Sequence, residues 1–323
     1  MSTSNCEVSR LSATKHIRRM PGGSQSHLMT CSDGHDYVVK FQGNPQGSRT
    51  LVNDLLGTML AKFLTLPVAD VAIVEVSKDV IQESFLRMQY ERHSQPCQAG
   101  LCFGSRYLAP HSPASFRSAS VKPNTLSRDY LRSLSNMKDF AGMLVFDKWS
   151  CNTDSRQFIF VRPEGSCADK VFMIDEGFCF HATHWDFHDF KLQGVVADRF
   201  VYDLIEGMEA FEPWLEILEN DMSAHAMKGL ASEIPLEWYA FDSEALVLLV
   251  SCLARRIPLV RELIRSSCSA LPHSFRHWTT HHQSLGSKHG LAQSESSMAD
   301  YLPFYPHVPV VDGVTKLMPE SRL

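Results

Sequence analysis

The chain has nine cysteines but not one CxxC pair. Thiols that are odd in number and scattered suit neither a disulfide framework nor a paired-cysteine zinc site. They are expected to stay reduced, in a cytoplasmic protein. Long apolar runs are missing as well. The longest, Ala245 to Leu253, is far too short to span a bilayer, and the opening MSTSNCEVSR lacks the apolar stretch of a secretory signal. Three familiar strings are absent: GxxxxGK followed by Ser or Thr, GxSxG, and HExxH. Their absence argues against a P-loop, a nucleophile elbow and a zincin helix. Positive charge is not in excess either, with a net charge of −5. The one basic cluster, Lys15 to Arg19, is short and reads as a solvated face, so neither nucleic-acid nor membrane binding is expected.

What remains is 323 residues with 44% hydrophobic and 21% charged content, enough for a sizeable core. The first third reads as strands. His27–Thr30 and Tyr37–Phe41 flank the turn signal Ser32-Asp33-Gly34, and Val68–Val76 and Gly100–Leu108 are further candidates. Between them, Leu51, Leu55, Met59 and Phe63 recur at the spacing of one helix face, which Pro67 ends. Residues 110–128, rich in proline and serine, suggest a long loop. A helix is expected over Leu131–Trp149, then two short strands, Phe158–Val161 and Val171–Ile174. Further helices are expected over Val195–Glu206, Phe211–Asp221, Ser223–Glu233 and Ser243–Ser266. Strands segregated from helices imply an α+β fold, in two lobes. After about Thr279 the composition turns polar, and Gln283–Met298 is expected to lack regular structure, whereas Tyr301–Val311 is expected to dock on a surface.

Polar residues gather in a suggestive order. Gly22-Gly23-Ser24 could let backbone N–H groups approach a phosphate, or could be a simple turn. Lys40 sits in the apolar run Val38-Val39-Lys40-Phe41. It either faces outward on an alternating strand or is buried with a carboxylate, and Asp54 on the following helix is the available partner. In Phe146–Phe160, FDKWSCNTDSRQFIF, the residues Asn152, Asp154, Arg156 and Gln157 crowd between a helix and a strand, beside Trp149 and Phe158. They form a turn or cap, or a loop that carries chemistry between rigid elements. Met173–Phe178, MIDEGF, ends a strand in Asp175 before Gly177, either as a hairpin turn or as a divalent-cation ligand. His181, His184 and His188 read as surface histidines unless they share a helix face.

Together Gly22-Gly23-Ser24, DGHDYVVKF, LVNDLLGTMLAKFLTLPV, FGSRYL, FDKWSCNTDSRQ and MIDEGFCF resemble the HipA-like kinase domain over roughly residues 17 to 270. The most specific piece is D-x-W-x-x-N-x-D-x-R-Q. The resemblance implies a bacterial branch of the protein-kinase-like fold, with a β-rich lobe over 1–108, a mostly helical lobe over 109–280 and a tail over 281–323. It also implies ATP and Mg²⁺ between the lobes and a protein hydroxyl, on Ser or Thr, as acceptor. Lys40 would contact the nucleotide phosphates, near Gly22, Gly23 and Ser24. Asp54 stands where the family helix has glutamate. Asp154 would be the catalytic carboxylate and Asp175 the metal ligand. The family's metal-binding asparagine, five residues after the catalytic aspartate, is Ile159 here, so Gln157 or Asn152 would supply the amide. That departure keeps a nucleotide-binding pseudokinase open as the alternative.

Overall fold

The computed structural model describes residues 8–109, 116–117, 126–196 and 198–279. The expectations for Gln283–Met298 and Tyr301–Val311, and most of the proline- and serine-rich 110–128 stretch, lie outside these residues.

The strand-rich part is a closed barrel. It is built from β1 (Ser9–Arg19), β2 (His27–Cys31), β3 (Asp36–Lys40), β4 (Val71–Val76) and β7 (Gly100–Arg106), in the order β1-β2-β3-β7-β4. Neighbours are antiparallel except β1 and β4, whose parallel pairing of Ser9–Ser12 with Ala72–Glu75 closes the ring. The sequence suggested only short strands before Tyr37. In fact β1 runs eleven residues, and two register shifts between Ala13 and Arg18 curl it. Lys15, Arg18 and Arg19 point to solvent from it. Side chains that alternate inward fill the barrel, among them Met29, Tyr37, Val39, Val74 and Cys102. The helix α1 (Arg49–Phe63) leaves after β3, and α2 (Lys78–Glu83) and a hairpin of β5 (Arg87–Gln89) and β6 (Ser94–Pro96) follow β4.

α1 does not have the single apolar face that the leucine spacing suggested. Every residue from Thr50 to Ala61 is buried, because barrel strand β7 lies on one side and helical elements on another.

The rest is mostly helical around a small sheet. β8 (Phe116–Arg117), β9 (Gln157–Val161) and β10 (Lys170–Ile174) pair antiparallel in the order β10-β9-β8. The helix expected over Leu131–Trp149 is two, α3 (Arg128–Ser133) and α4 (Asp139–Ser150). The break comes from Asn136, whose side chain bonds both the N–H and the C=O of Val171 on β10 and also Asp139. Among the described residues of Val195–Glu206 no helix forms, and Arg199 to Leu204 make turns. Asp198 accepts from the backbone N–H groups of Leu126 and Phe200, a local competitor of helical bonding, while Val195, Val196, Val201 and Tyr202 still pack into the core. α5 (Glu212–Glu216) runs on into a π-helical turn to Asp221, and α6 (Ala224–Ala231) follows. The apolar segment from Ser243 splits at Pro258 into α7 (Ser243–Arg256) and α8 (Val260–Ala270). No helix among the described residues is long and apolar enough to cross a membrane.

Candidate active site

A cleft of about 310 Å³ opens where the barrel meets the small sheet. Met20, Val38, Ala69, Phe103, Ile159 and Ile174 form its apolar walls, and Gly22, Gly23, Ser24, Lys40, Asp54, Asp154, Gln157 and Asp175 supply the polar part. Of the site residues that the resemblance implies, all but Asn152 therefore line one space. Asn152 is 1% exposed. Its amide donates to Asp147 at 2.9 Å and its carbonyl oxygen accepts the Asp154 N–H at 3.2 Å. Asn152 shapes the loop from behind.

Lys40 occupies the β3 face opposite Val39, turned toward α1. Its ammonium bonds both Asp54 oxygens, at 2.9 and 2.8 Å, and Asp175 at 2.7 Å. One cation thus faces two carboxylates. Burial opposes its charge, but Asp175 and Asp54 outweigh it and raise the Lys40 pKa. Burial pushes the Asp54 carboxyl up to about 7, against the pull of Lys40. Burial would push Asp175 up as well, yet Lys40 and Arg156 hold it below the usual range. The Asp54 side chain is 1% exposed and that of Asp175 is 32% exposed, so Asp175 alone of the pair can meet a ligand from the cleft.

Local backbone sets these positions. Asp175 has φ +64, which turns the chain sharply at the end of β10. A Cβ on the next-but-one residue, Gly177, would sit 3.2 Å from Asp54 and 3.5 Å from the Lys40 ammonium. Only glycine leaves that ion pair undisturbed. At Gly22, φ is +124, a region side chains rarely adopt, so the turn roofing the cleft requires glycine there. Gln157 opens β9 and donates its amide to Asp154 at 3.2 Å and to Asp175 at 3.1 Å, linking the two carboxylates of the cleft. Asp154 also accepts the Ser155 N–H.

Several supporting roles escaped the sequence reading. Arg156, fully buried, bonds Asp147 twice and reaches Glu176 at 3.2 Å and the Ile174 carbonyl at 3.1 Å. It fastens α4, β9 and the end of β10 together. Asn53 donates to the carbonyls of Gly177, Cys179 and Ala182, and its own oxygen accepts the Trp185 indole N–H. It pins the segment after Gly177 onto α1. A buried amide one residue before Asp54 was the only signal, and a helical amide has many ordinary uses. His181, His184 and His188 do not share a helix face: the first two lie in turns of that segment and His188 in its irregular continuation.

A family model described as HipA-like kinase matches residues 14–257. No curated protein sequence matches the chain. Among solved structures, the Golgi casein kinase aligns with 13% identity over 82% of this chain and 74% of its own, at a TM-score of 0.47. The Helicobacter pylori proinflammatory kinase CtkA aligns with 12% identity over 79% and 98%, at 0.48. The Golgi casein kinase with Mn/ADP bound aligns with 11% identity over 81% and 73%, at 0.42.

Proposed function

Because the chain belongs to the HipA-like kinase family, we propose that it binds ATP with Mg²⁺ in this cleft and transfers the γ-phosphoryl group to a hydroxyl, that of a serine or threonine in a protein. The observation that carries the reading is the pair of links across one cleft: Lys40 between Asp54 and Asp175, and Gln157 between Asp175 and Asp154.

The residues fit the ligands. Asp175 offers oxygen donors of the kind Mg²⁺ takes alongside phosphate oxygens, and the Gln157 amide, whose NH2 group now bonds Asp154 and Asp175, would offer its oxygen once turned over; they are the groups that would hold it. Asn152, already bonded on both sides of its amide, is the poorer candidate. The bound cation would neutralise charge on the phosphates. Lys40 shifts from Asp175 to the phosphates, while Asp54 keeps its ammonium aimed. The Gly22-Gly23-Ser24 turn offers backbone N–H groups above the same phosphates, and the apolar walls accept a flat base. Asp154 takes the proton of the acceptor hydroxyl as its oxygen bonds to the γ-phosphorus and the bond to the β-phosphate oxygen breaks, releasing ADP. In this reading the chain divides near residue 108 into a nucleotide lobe and a catalytic lobe.

A nucleotide-binding pseudokinase is favoured by one observation. Ile159, five residues after Asp154, is a buried apolar wall of the cleft and offers no ligand atom. The test is incubation with γ-labelled ATP and Mg²⁺, following label on the protein and in a lysate. Asp154→Asn is expected to keep nucleotide affinity and lose labelling by roughly 10²–10⁴-fold. Wild-type labelling no higher than that of Asp154→Asn would leave a nucleotide-holding site without transfer.

A further inference from the structure

Outside the cleft, on the segment that follows Gly177, three metal-ligating side chains converge. His181 Nδ1 contacts one oxygen of Asp186, and His188 Nε2 lies 3.2 Å from the other. One atom from each of the three falls within 4.8 Å of the other two. Two imidazoles on one carboxylate is a donor set with a preference. Zn²⁺ takes histidine nitrogen and carboxylate oxygen at about 2.0–2.2 Å in a tetrahedral shell, whose ligand atoms then stand roughly 3.3 Å apart. The 3.2 Å separation of His188 and Asp186 already has that span. Mg²⁺ and Ca²⁺ prefer all-oxygen shells.

The ligands are held from behind. The His181 N–H donates to the Cys151 carbonyl at 3.1 Å. The His188 carbonyl accepts from the Cys151 thiol at 3.2 Å and from the Gln193 amide at 2.9 Å. The neighbour of His188, Asp189, is gripped by the buried Arg256 at 2.6 and 2.9 Å. Between the ligands, Trp185 is buried, bonded to Asn53 and covered by the Arg49 guanidinium 4.4 Å from its ring. Meanwhile Asp186 and His188 stay exposed and His181 half-buried. The backbone is fixed inward and the donor atoms are presented outward, where a cation can reach them. Surface ion pairs alone contribute little and need no such scaffold.

We propose that His181, Asp186 and His188 form a Zn²⁺ site, with water completing the shell, that clamps the segment following Gly177 against α1 and the end of α4. On binding, each ring presents a lone pair from its ligating nitrogen, so a proton carried on that nitrogen moves to the other ring nitrogen or leaves. The site is separate from the cleft and does not depend on phosphoryl transfer.

The experiment uses the full chain without a histidine tag, stripped with chelator and titrated with ZnCl₂ in the absence of nucleotide by calorimetry. One saturable site of micromolar or tighter affinity is expected. Asp186→Asn and His188→Ala, both at exposed positions and so expected to fold as wild type, should weaken it by at least about tenfold, since even outer-shell changes at metal sites cost that much. Asp175→Asn, in the cleft, should leave it intact. Zinc should also slow amide exchange over residues 178–190 in wild type and not in His188→Ala. Absence of saturable binding at micromolar zinc overturns the proposal, as does wild-type affinity in both Asp186→Asn and His188→Ala, which would place the ion on other histidines or thiols.

Discussion

Replacing Arg156 by methionine keeps much of its volume but strands two acids. Asp147, whose side chain is wholly buried, keeps only the Asn152 amide, and Glu176, 5% exposed, keeps only the Thr58 hydroxyl at 3.2 Å. Breaking a buried pair by removing one partner costs about 3–5 kcal/mol, because the remaining charge is uncompensated. At about 2–4 °C per kcal/mol for chains of comparable size, the melting temperature should fall by about 6–20 °C. Urea unfolding should show a lower midpoint with an unchanged slope, marking a loss of stability rather than a change in the exposed surface. The reasoning also predicts a reversal of sign. In wild type, Asp147→Asn removes the partner of Arg156 and should destabilise. In the Arg156→Met background the same change removes the stranded charge and keeps an acceptor for Asn152, so it should restore about 0.5–3 kcal/mol, the range seen for directly coupled residues. If Asp147→Asn destabilises equally in both backgrounds, the buried charge is not what Arg156 serves.

ATP with Mg²⁺ should raise the melting temperature, since a ligand at a hundredfold excess over Kd adds about 2.7 kcal/mol. Lys40→Ala should shrink that shift, and no shift at millimolar ATP in wild type would remove the cleft from consideration as a nucleotide site. Gln157→Ala should raise the Mg²⁺ concentration needed for half-maximal labelling, whereas Asn152→Ala should chiefly lower stability; the reverse pattern in a metal titration would reassign the amide. With the Asp54 carboxyl near 7 in the folded protein against an ordinary value of 3.8, folding takes up a proton at this group. Its contribution to stability is then full below about pH 4 and is lost as pH rises through 7. Wild type should therefore lose ground to Asp54→Asn between pH 5 and pH 8 in urea midpoints, and a gain would contradict the burial argument.

What could be read in advance was local. β3, α1, β9 and β10 announce themselves through β-branched runs, turn residues and periodic leucines, and those four elements position Lys40, Asp54, Gln157 and Asp175. What escaped was long-range. Nothing near Ser9–Ser12 signals a parallel partner in β4 sixty residues on, so barrel closure was hidden. The break between α3 and α4 depends on Asn136 reaching Val171. The apolar spacing over Val195–Glu206 was real, but it serves core packing by a chain in turns. Arg156 and Asp147 were visible as letters of one motif and Glu176 of another, while their pairing was not, because a buried charge cluster leaves no periodic trace. Asp186 went unnoticed between two histidines that looked like surface residues.

The all-round burial of α1 limits how such a molecule can be governed. A helix with one apolar stripe can roll or slide at modest cost, and an ion pair on it can be made or broken as a switch. Here rotation would drive Thr50, Asn53 and Thr58 out of their contacts and expose leucines on every side. The Lys40–Asp54 pair is therefore part of the foundation, present whether or not a ligand arrives. Any throttle on this protein has to sit on the other partner of Lys40, in the stretch from Asp175 onward, which α1 grips through a few polar contacts: Asn53 on three carbonyls, Thr58 on Glu176 and Arg49 on the Thr183 carbonyl.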